Sequence, residues 1–236
     1  MAKKYFSNVN GRVLDQSHIK THVTDGRNFL LLSTERYDLI SMEISSIWFA
    51  GAASLYNVEM YDLIKTRLTA QGVLQQWIQL HRVSTLDLAT VLTTIRAQFE
   101  NVWLYFVGRQ GIIIACNHDC RPGPEHLERL TQESSMKNVL SLLPNGLHGI
   151  LTRRLLEPRG VDAFIKSQLS LGLSPDDLLS NDDNLRLEYS TPRGNVRPYK
   201  ESMQSNLRML TRFHARDPSK GTRFKSGIPA PRKTAP

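Results

Sequence analysis

The chain has 236 residues, of which 40% are hydrophobic and 22% charged, a balance typical of a globular protein with a sizeable core. It contains no run of 18 or more apolar residues, so no membrane segment is expected, and residues 1–12 lack the apolar stretch of a secretion signal. With only two cysteines, Cys116 and Cys120, a cytoplasmic location without a disulfide framework is predicted.

The net charge of +8 is concentrated near the end of the chain. Residues 207–236 contain eight basic side chains and one acidic side chain, so the rest of the chain is close to neutral. From about Arg212 the composition is Lys, Arg, Pro, Gly and Ser with few apolar residues, which predicts disorder. We expect nucleic acid to bind only non-specifically, through this basic tail.

Strand and helix patterns alternate over the first hundred residues. Three strands are predicted, at residues 19–24, 37–42 and 73–80, and the second is more apolar than the first and expected to be central. A short helix is predicted after Asp25, and an amphipathic helix over 58–69 that Gly72 caps. This order favours an α/β sheet.

A further helix is predicted to begin at Ser84, with Asp87 in the capping-box position. Its apolar residues recur at helical spacing and define one buried face: Leu88, Val91, Leu92, Ile95 and Phe99. Residues 102–107 and 112–116 then predict a hairpin around residues 108–111, at the edge of the sheet.

The pattern changes at Arg121-Pro122-Gly123-Pro124, which interrupts regular structure. Beyond it, helices are predicted at residues 125–143, 147–156 and 161–171. Three parts are therefore expected: an α/β domain over 1–120, a helical extension over 121–205 and a basic disordered tail over 206–236.

Two acids occupy positions where chemistry is expected. Ligands of open α/β sheets bind beside the carboxyl ends of the strands, and Asp25 and Glu43 each follow a predicted strand. Asp25 can accept hydrogen bonds from an amine or hydroxyl, while Gly26 lets a ligand approach the backbone. Each acid also has an ordinary reading: Asp25-Gly26 as a turn, and Glu43 as an exposed strand-end acid or a helix cap.

The stretch from Glu43 to Tyr61 carries a family resemblance. Glu43, Ser45, Trp48, Ala50-Gly51 and Ala53-Ser54-Leu55-Tyr56 follow the pattern E-P-S-N-P-W-x-A-G-x-A-S-L-[FY], without its two prolines. Residues 55–61 fit L-[YF]-x-x-E-[FM]-Y, and residues 73–77 follow Gly72 as in the family strand G-V-L-x-x-Q or G-V-L-x-Q-W. Residues 181–193 resemble T-D-D-x-P-x-L-E-[FY]-x-x-P-R, with Asn181 and Leu185 in place of its threonine and proline. Over residues 2–193 the chain thus resembles spermidine synthases (polyamine aminopropyltransferases), most closely the bacterial fused, membrane-associated spermidine synthase-like proteins.

The resemblance implies a class I methyltransferase-like (Rossmann-like) sheet and aminopropyl transfer from decarboxylated S-adenosylmethionine to putrescine, in polyamine biosynthesis. It assigns the adenine contact to Asp25 and Gly26, and the role of general base to Glu43. It assigns substrate contacts to Ser45, Ser46, Tyr56 and Gln76. In the family stretch D-x-x-D-P, Ser46 and Ile47 replace the second acid and the proline, which removes one charged contact to a diammonium substrate. Tyr61, Trp77 and Trp103 are as readily explained as core residues, and Asp182 and Asp183 as a cap or hinge.

Part of the family pattern is not found. The glycine-rich nucleotide loop and the strand whose acid holds the ribose precede, in the family, the stretch that matches the beginning of this sequence. The resemblance therefore implies an N-terminally truncated enzyme, with a homo-oligomer or a complementing chain as possible partner. The alternative is a catalytically inactive homologue or partner-binding module.

Cys116-Asn117-His118-Asp119-Cys120 invites a comparison with zinc sites. Such sites usually have four ligands from paired Cys or His residues, and here a second pair is missing. No metal is predicted; the cysteines are expected to be a buried or loop pair beside an exposed His118.

Overall fold

The computed structural model describes residues 2–44, 46–143 and 145–214. It separates the chain into two compact units, residues 1–34 and 35–236, which are described one at a time. None of the helices in these described ranges combines the length and the apolar character that crossing a membrane requires.

The first unit contains two helices, α1 (Ala2–Tyr5) and α2 (Gly26–Leu32), with a 3-10 turn at Val13–Asp15 between them. Helix α2 confirms the predicted short helix. The strand predicted at 19–24 is wrong, because these residues have no regular structure and are exposed. Alternating apolar residues form a strand only when a neighbouring strand pairs with them, and none among the described residues does.

The second unit is built on a five-stranded mixed sheet. Its strands are β1 (Tyr37–Met42), β2 (Leu68–Ile78), β3 (Asn101–Val107), β4 (Gln110–Cys116) and β5 (Arg154–Leu156), in the spatial order β1-β2-β4-β3-β5. Strands β1 and β2 are parallel, and the other three neighbouring pairs are antiparallel. The mixed α/β class and the hairpin are confirmed. The predicted position of the hairpin at the edge of the sheet is wrong, because β5 pairs with β3 on its outer side. The predicted central position of residues 37–42 is wrong, since β1 is an edge strand of the described sheet.

Helices connect and cover these strands. Helix α3 (Val58–Arg67) joins β1 to β2, and α4 (Thr85–Arg96) joins β2 to β3. The helices that follow β4 are α5 (Pro124–Gln132), α6 (Ser134–Ser141), α7 (Gly146–Leu151), α8 (Pro158–Leu169), α9 (Arg186–Gly194) and α10 (Tyr199–Leu210). The helix predicted at 125–143 is therefore two helices, and the one predicted at 147–156 ends early and gives way to β5.

Helix α4 forms as its sequence predicts. The Ser84 side chain accepts from the Asp87 backbone N–H, and Asp87 accepts from that of Ser84, each at 2.9 Å. This capping box satisfies two free donors at the start of the helix. The predicted apolar face is at most 3% exposed, from Leu88 to Phe99, so α4 lies in the middle of the core.

Gly72 was predicted to cap α3, and this prediction is wrong. The helix ends at Arg67, and β2 begins at the next residue. Gly72 lies inside β2, where the pairing with β1 shifts from Tyr37 opposite Leu68 to Leu39 opposite Val73. A Cβ atom at Gly72 would be 2.9 Å from the Tyr37 carbonyl oxygen, so glycine allows the two strands to approach at this irregularity.

The tail was predicted to begin at residue 206, but this boundary lies inside a helix. Helix α10 continues to Leu210, and Asn206, Leu207 and Leu210 are buried, so residues 206–210 belong to the folded unit. A 3-10 turn follows at Thr211–Phe213. The remainder of the predicted tail, residues 215–236, lies outside the described residues.

Gly194, at the end of α9, offers a test of this packing. A Cβ atom there would overlap the carbonyl oxygen of Arg82 and lie 3.1 Å from the Val83 Cα. We expect Gly194→Ala to lower the free energy of unfolding by about 1–3 kcal/mol, because the backbones must separate. Urea denaturation measures the loss. Gly123→Ala is the control, since a Cβ there meets nothing within 4 Å; equal losses in both variants would contradict the packing.

Candidate functional site

Glu43 follows β1 at the carboxyl end of the parallel strand pair. Met42 pairs with Gln76 of β2, so Glu43 leaves the sheet beside Trp77. Its side chain is exposed to solvent. Glu43 thus presents a carboxylate to solvent at the carboxyl end of this strand pair.

The loop after Glu43 covers the ends of these two strands. Ser46 and Ile47 are buried, and Trp48 is half-buried. Gly51 has φ 79° and precedes a 3-10 turn at Ala52–Tyr56. Ser45 lies outside the described residues, and Ser46 is 8% exposed, which leaves little of it for a substrate to contact.

Tyr56, Tyr61 and Gln76 form a fully buried cluster, each 0% exposed. The Tyr56 hydroxyl donates to the Trp77 carbonyl oxygen at 3.1 Å, and the Tyr61 hydroxyl donates to Gln76 Oε1 at 2.7 Å. Burial raises the pKa of both tyrosines, so both remain neutral donors. Tyr56 and Gln76 therefore join the 3-10 turn and α3 to β2. Their substrate contacts stay predictions.

Trp77 and Trp103 belong to the core, as the ordinary reading of their sequence predicts. They are 7% and 4% exposed. The indole N–H of Trp77 donates to Gln110 Oε1 across the β2–β4 pair at 2.7 Å.

Asp25 and Gly26 lie in the first unit. The Asp25 carboxylate accepts from the Asn28 backbone N–H at 2.8 Å, which makes it the N-cap of α2, and Gly26 is the first residue of that helix. The structure thus gives Asp25 a capping role, and it follows a loop instead of the expected strand. Its adenine contact stays a prediction.

The closing motif at residues 181–193 packs against the loop that follows Glu43. Glu188 Oε1 accepts from the Gly51 backbone N–H at 2.8 Å, across 137 positions of sequence. Asn57 Nδ2 donates to Asp182 Oδ1 at 3.0 Å, and the Asp182 backbone N–H donates to Glu59 Oε2 at 3.1 Å. Asp182 therefore holds the motif to the start of α3, a role that the sequence left open. Two of the stretches that carry the family resemblance, residues 43–61 and 181–193, are thus in direct contact.

His81 also lies near the carboxyl end of β2, and no sequence pattern predicts a role for it. It follows β2, and its ring lies 4.2 Å from that of Tyr199 and 6.3 Å from that of Trp48, measured between centroids. Burial, and secondarily the charge of Arg82, lower the pKa of His81 from 6.5. A single histidine outside any motif gives no sequence signal; only the packing of α10 reveals this aromatic group.

We expect the stability contributed by His81 to depend on pH. The unfolded chain takes up a proton near pH 6.5, but the folded chain does so only at lower pH. Stability is therefore fully present above pH 6.5 and decreases as the pH falls below it. Urea denaturation across this range should show a shallower pH dependence for His81→Phe, which keeps the ring contact; identical pH profiles would contradict the prediction.

A small cavity and a wider groove lie beside the sheet and its helices. The cavity of about 10 Å³, lined by Ile47, Ile78 and Gln79 among others, is too small for a polyamine. The groove of about 460 Å³ lies between α4 and α8, lined partly by Arg96 and Asp162. Glu43 lines neither of these two spaces.

Cys116 and Cys120 form a disulfide, which corrects the prediction of no disulfide. Their Cα atoms lie 6.5 Å apart, within the range that disulfides accept. His118, which lies between the two cysteines in the sequence, was expected to be exposed but is half-buried. The cytoplasmic location stays a prediction.

Comparison of the chain with protein-family models and with curated proteins finds no match.

Proposed function

We propose that this chain is a spermidine synthase-like protein in which Glu43 binds an amine and acts as general base in aminopropyl transfer. The observation that supports this most directly is the exposed carboxylate immediately after β1, at the carboxyl end of a parallel strand pair. The motif contacts support it too, because Glu188 of the closing motif binds the backbone of the loop that begins at Glu43.

The strand order is also in keeping with a class I methyltransferase-like sheet. Strand β4 is antiparallel to both of its neighbours, so β1, β2 and β3 run in the same direction and β4 is inserted between β2 and β3. A parallel sheet that ends in such an antiparallel pair is what the resemblance implies. Strand β5 is an addition beyond β3, at the edge of the sheet opposite β1.

The chemistry requires an uncharged amine. Putrescine has amines with a pKa of about 10, so it arrives protonated and cannot attack. Glu43 attracts the ammonium group and accepts its proton. The freed nitrogen attacks the aminopropyl carbon attached to the sulfonium; a C–N bond forms, the C–S bond breaks, and its electron pair stays on sulfur as a neutral thioether.

A second candidate is a catalytically inactive homologue that binds a partner. It is favoured by the structural roles of side chains to which the resemblance assigns ligand contacts. Tyr56 and Gln76 are 0% exposed, and Asp25 caps a helix. Under this proposal Glu43 is an exposed acid without a chemical role.

Incubation of the purified chain with decarboxylated S-adenosylmethionine and putrescine distinguishes the two candidates. Mass spectrometry detects spermidine and the thioether product, and a thermal shift detects binding of either substrate. Formation of both products supports the transferase. If neither products nor a thermal shift occur, the transferase proposal is overturned and the inactive homologue is supported.

A further inference from the structure

Three potential metal ligands lie together where β4 ends. Atoms of Cys116, His118 and Cys120 that can bind a metal are all within 4.8 Å of one another. Cys116 is buried, while His118 and Cys120 are half-buried, so the group is accessible from one side. Two thiolates and an imidazole are the ligands that zinc prefers.

Hydrogen bonds fix the loop that carries these ligands. Asn101 Nδ2 donates to the His118 carbonyl oxygen at 2.9 Å, and the Cys120 backbone N–H donates to the same oxygen at 3.0 Å. Asn117 Oδ1 accepts from the Glu100 backbone N–H at 3.0 Å. The loop is therefore tied to the start of β3 by contacts that do not use the three ligand side chains.

His118 has a ring nitrogen that these contacts leave unused. Its Nδ1 is buried and has no hydrogen-bond partner among the residues that the structure describes. A buried polar atom without a partner needs an explanation, and one explanation is that this nitrogen is available to coordinate a metal ion. The neighbouring carboxylate of Asp119 is already bound by Arg121, at 2.8 Å, and is not needed as a ligand.

We propose that Cys116, His118 and Cys120 form a zinc site that opens when the disulfide is reduced. In the oxidised chain both sulfur atoms are committed to the Cys116–Cys120 bond. Reduction frees two sulfur ligands beside the imidazole, and a water molecule completes a four-coordinate ion. The site is independent of Glu43 and of the proposed transferase activity.

The reductant is a dithiol, and the step is ordinary thiol–disulfide exchange. One thiolate of the reductant attacks the half-buried Cys120 Sγ, and Cys116 leaves as a thiolate that takes up a proton. The second thiol of the reductant then displaces Cys120, which also takes up a proton, and the reductant becomes a disulfide. Two electrons and two protons pass to the protein; binding of Zn²⁺ releases the two thiol protons.

Zinc titration of the full chain tests the proposal. The oxidised chain and the dithiol-reduced chain, freed of reductant without air, are titrated against a chromogenic zinc chelator. We expect one zinc per reduced chain and affinity at least about tenfold weaker in the oxidised chain. Cobalt as a second probe should show a sulfur-to-metal charge-transfer band only after reduction.

The chain has seven histidines, including His118, so variants are needed to distinguish this site from adventitious binding at the others. His118→Ala should weaken zinc binding by the reduced chain about tenfold or more. His126→Ala, at an exposed position of α5, should leave it unchanged. Circular dichroism of each variant checks that it is folded. Equal affinity of the oxidised and reduced chains, or wild-type affinity in His118→Ala, would overturn the proposal.

Discussion

Glu43→Gln is expected to lower the rate of aminopropyl transfer by a factor of about 10²–10⁴, the usual contribution of a general base. Glutamine keeps the size and the hydrogen-bonding oxygen of the side chain, but it neither attracts an ammonium group nor accepts its proton. Because Glu43 is exposed after β1 and outside the core, the substitution should leave the free energy of unfolding unchanged. Product formation at saturating substrate, followed by mass spectrometry, measures the loss.

Glu125→Gln provides the matched control for this experiment. Glu125 is an exposed acid in the first turn of α5, so its loss changes the net charge equally without touching the proposed site. We expect it to retain wild-type activity. Full activity in Glu43→Gln would remove Glu43 as the base, whereas equal losses in both variants would show a general effect of charge.

The parts of the fold that the sequence predicts correctly are governed by local interactions. Helix α4 has its capping box and its apolar face within one stretch of sequence, and both form as expected. The β3–β4 hairpin is likewise local, because its turn residues Gly108 and Arg109 have φ 58° and 68°, as a two-residue hairpin turn requires. All the residues that determine these two elements lie close together in the sequence, so no distant contact is needed to predict them.

The errors concern features that depend on distant partners. Residues 154–156 form β5 because β3 offers them a free edge, and nothing in three residues of sequence shows that. Residues 19–24 have the alternation of a strand but no pairing strand among the described residues. Gly72 reads as a helix cap until the register shift between β1 and β2 gives it another role. Local patterns cannot specify these choices.

The candidate site divides in the same way. The position of Glu43 follows from the end of an apolar strand, which the sequence shows. The burial of Tyr56 and Gln76 depends on how closely α3 lies on β2, and the resemblance to ligand-binding residues gave no information on that. The contact between Glu188 and Gly51 joins two motifs that the sequence could only describe separately.

Asn57→Ala is expected to lower the free energy of unfolding by about 1–3 kcal/mol, since it breaks one buried and one partly buried hydrogen bond and leaves the buried Ser180 hydroxyl without its acceptor. Asn57 is 1% exposed; its Oδ1 accepts from the Ser180 hydroxyl at 2.7 Å, and its Nδ2 donates to Asp182 at 3.0 Å. The Ser180 backbone N–H in turn donates to the Thr94 hydroxyl at 3.0 Å. Urea denaturation measures the loss.

The same substitution tests whether the two motifs act together. Asn57 joins the start of α3 to the closing motif, so its loss should also expose the loop after Glu43 and increase its cleavage by protease under native conditions. Asn138→Ala, at an exposed position of α6, is the control and should change neither property. If Asn57→Ala unfolds at the same urea concentration as Asn138→Ala, the buried network does not hold the motifs together, and the site geometry must be maintained by the apolar packing of α9 against the 3-10 turn.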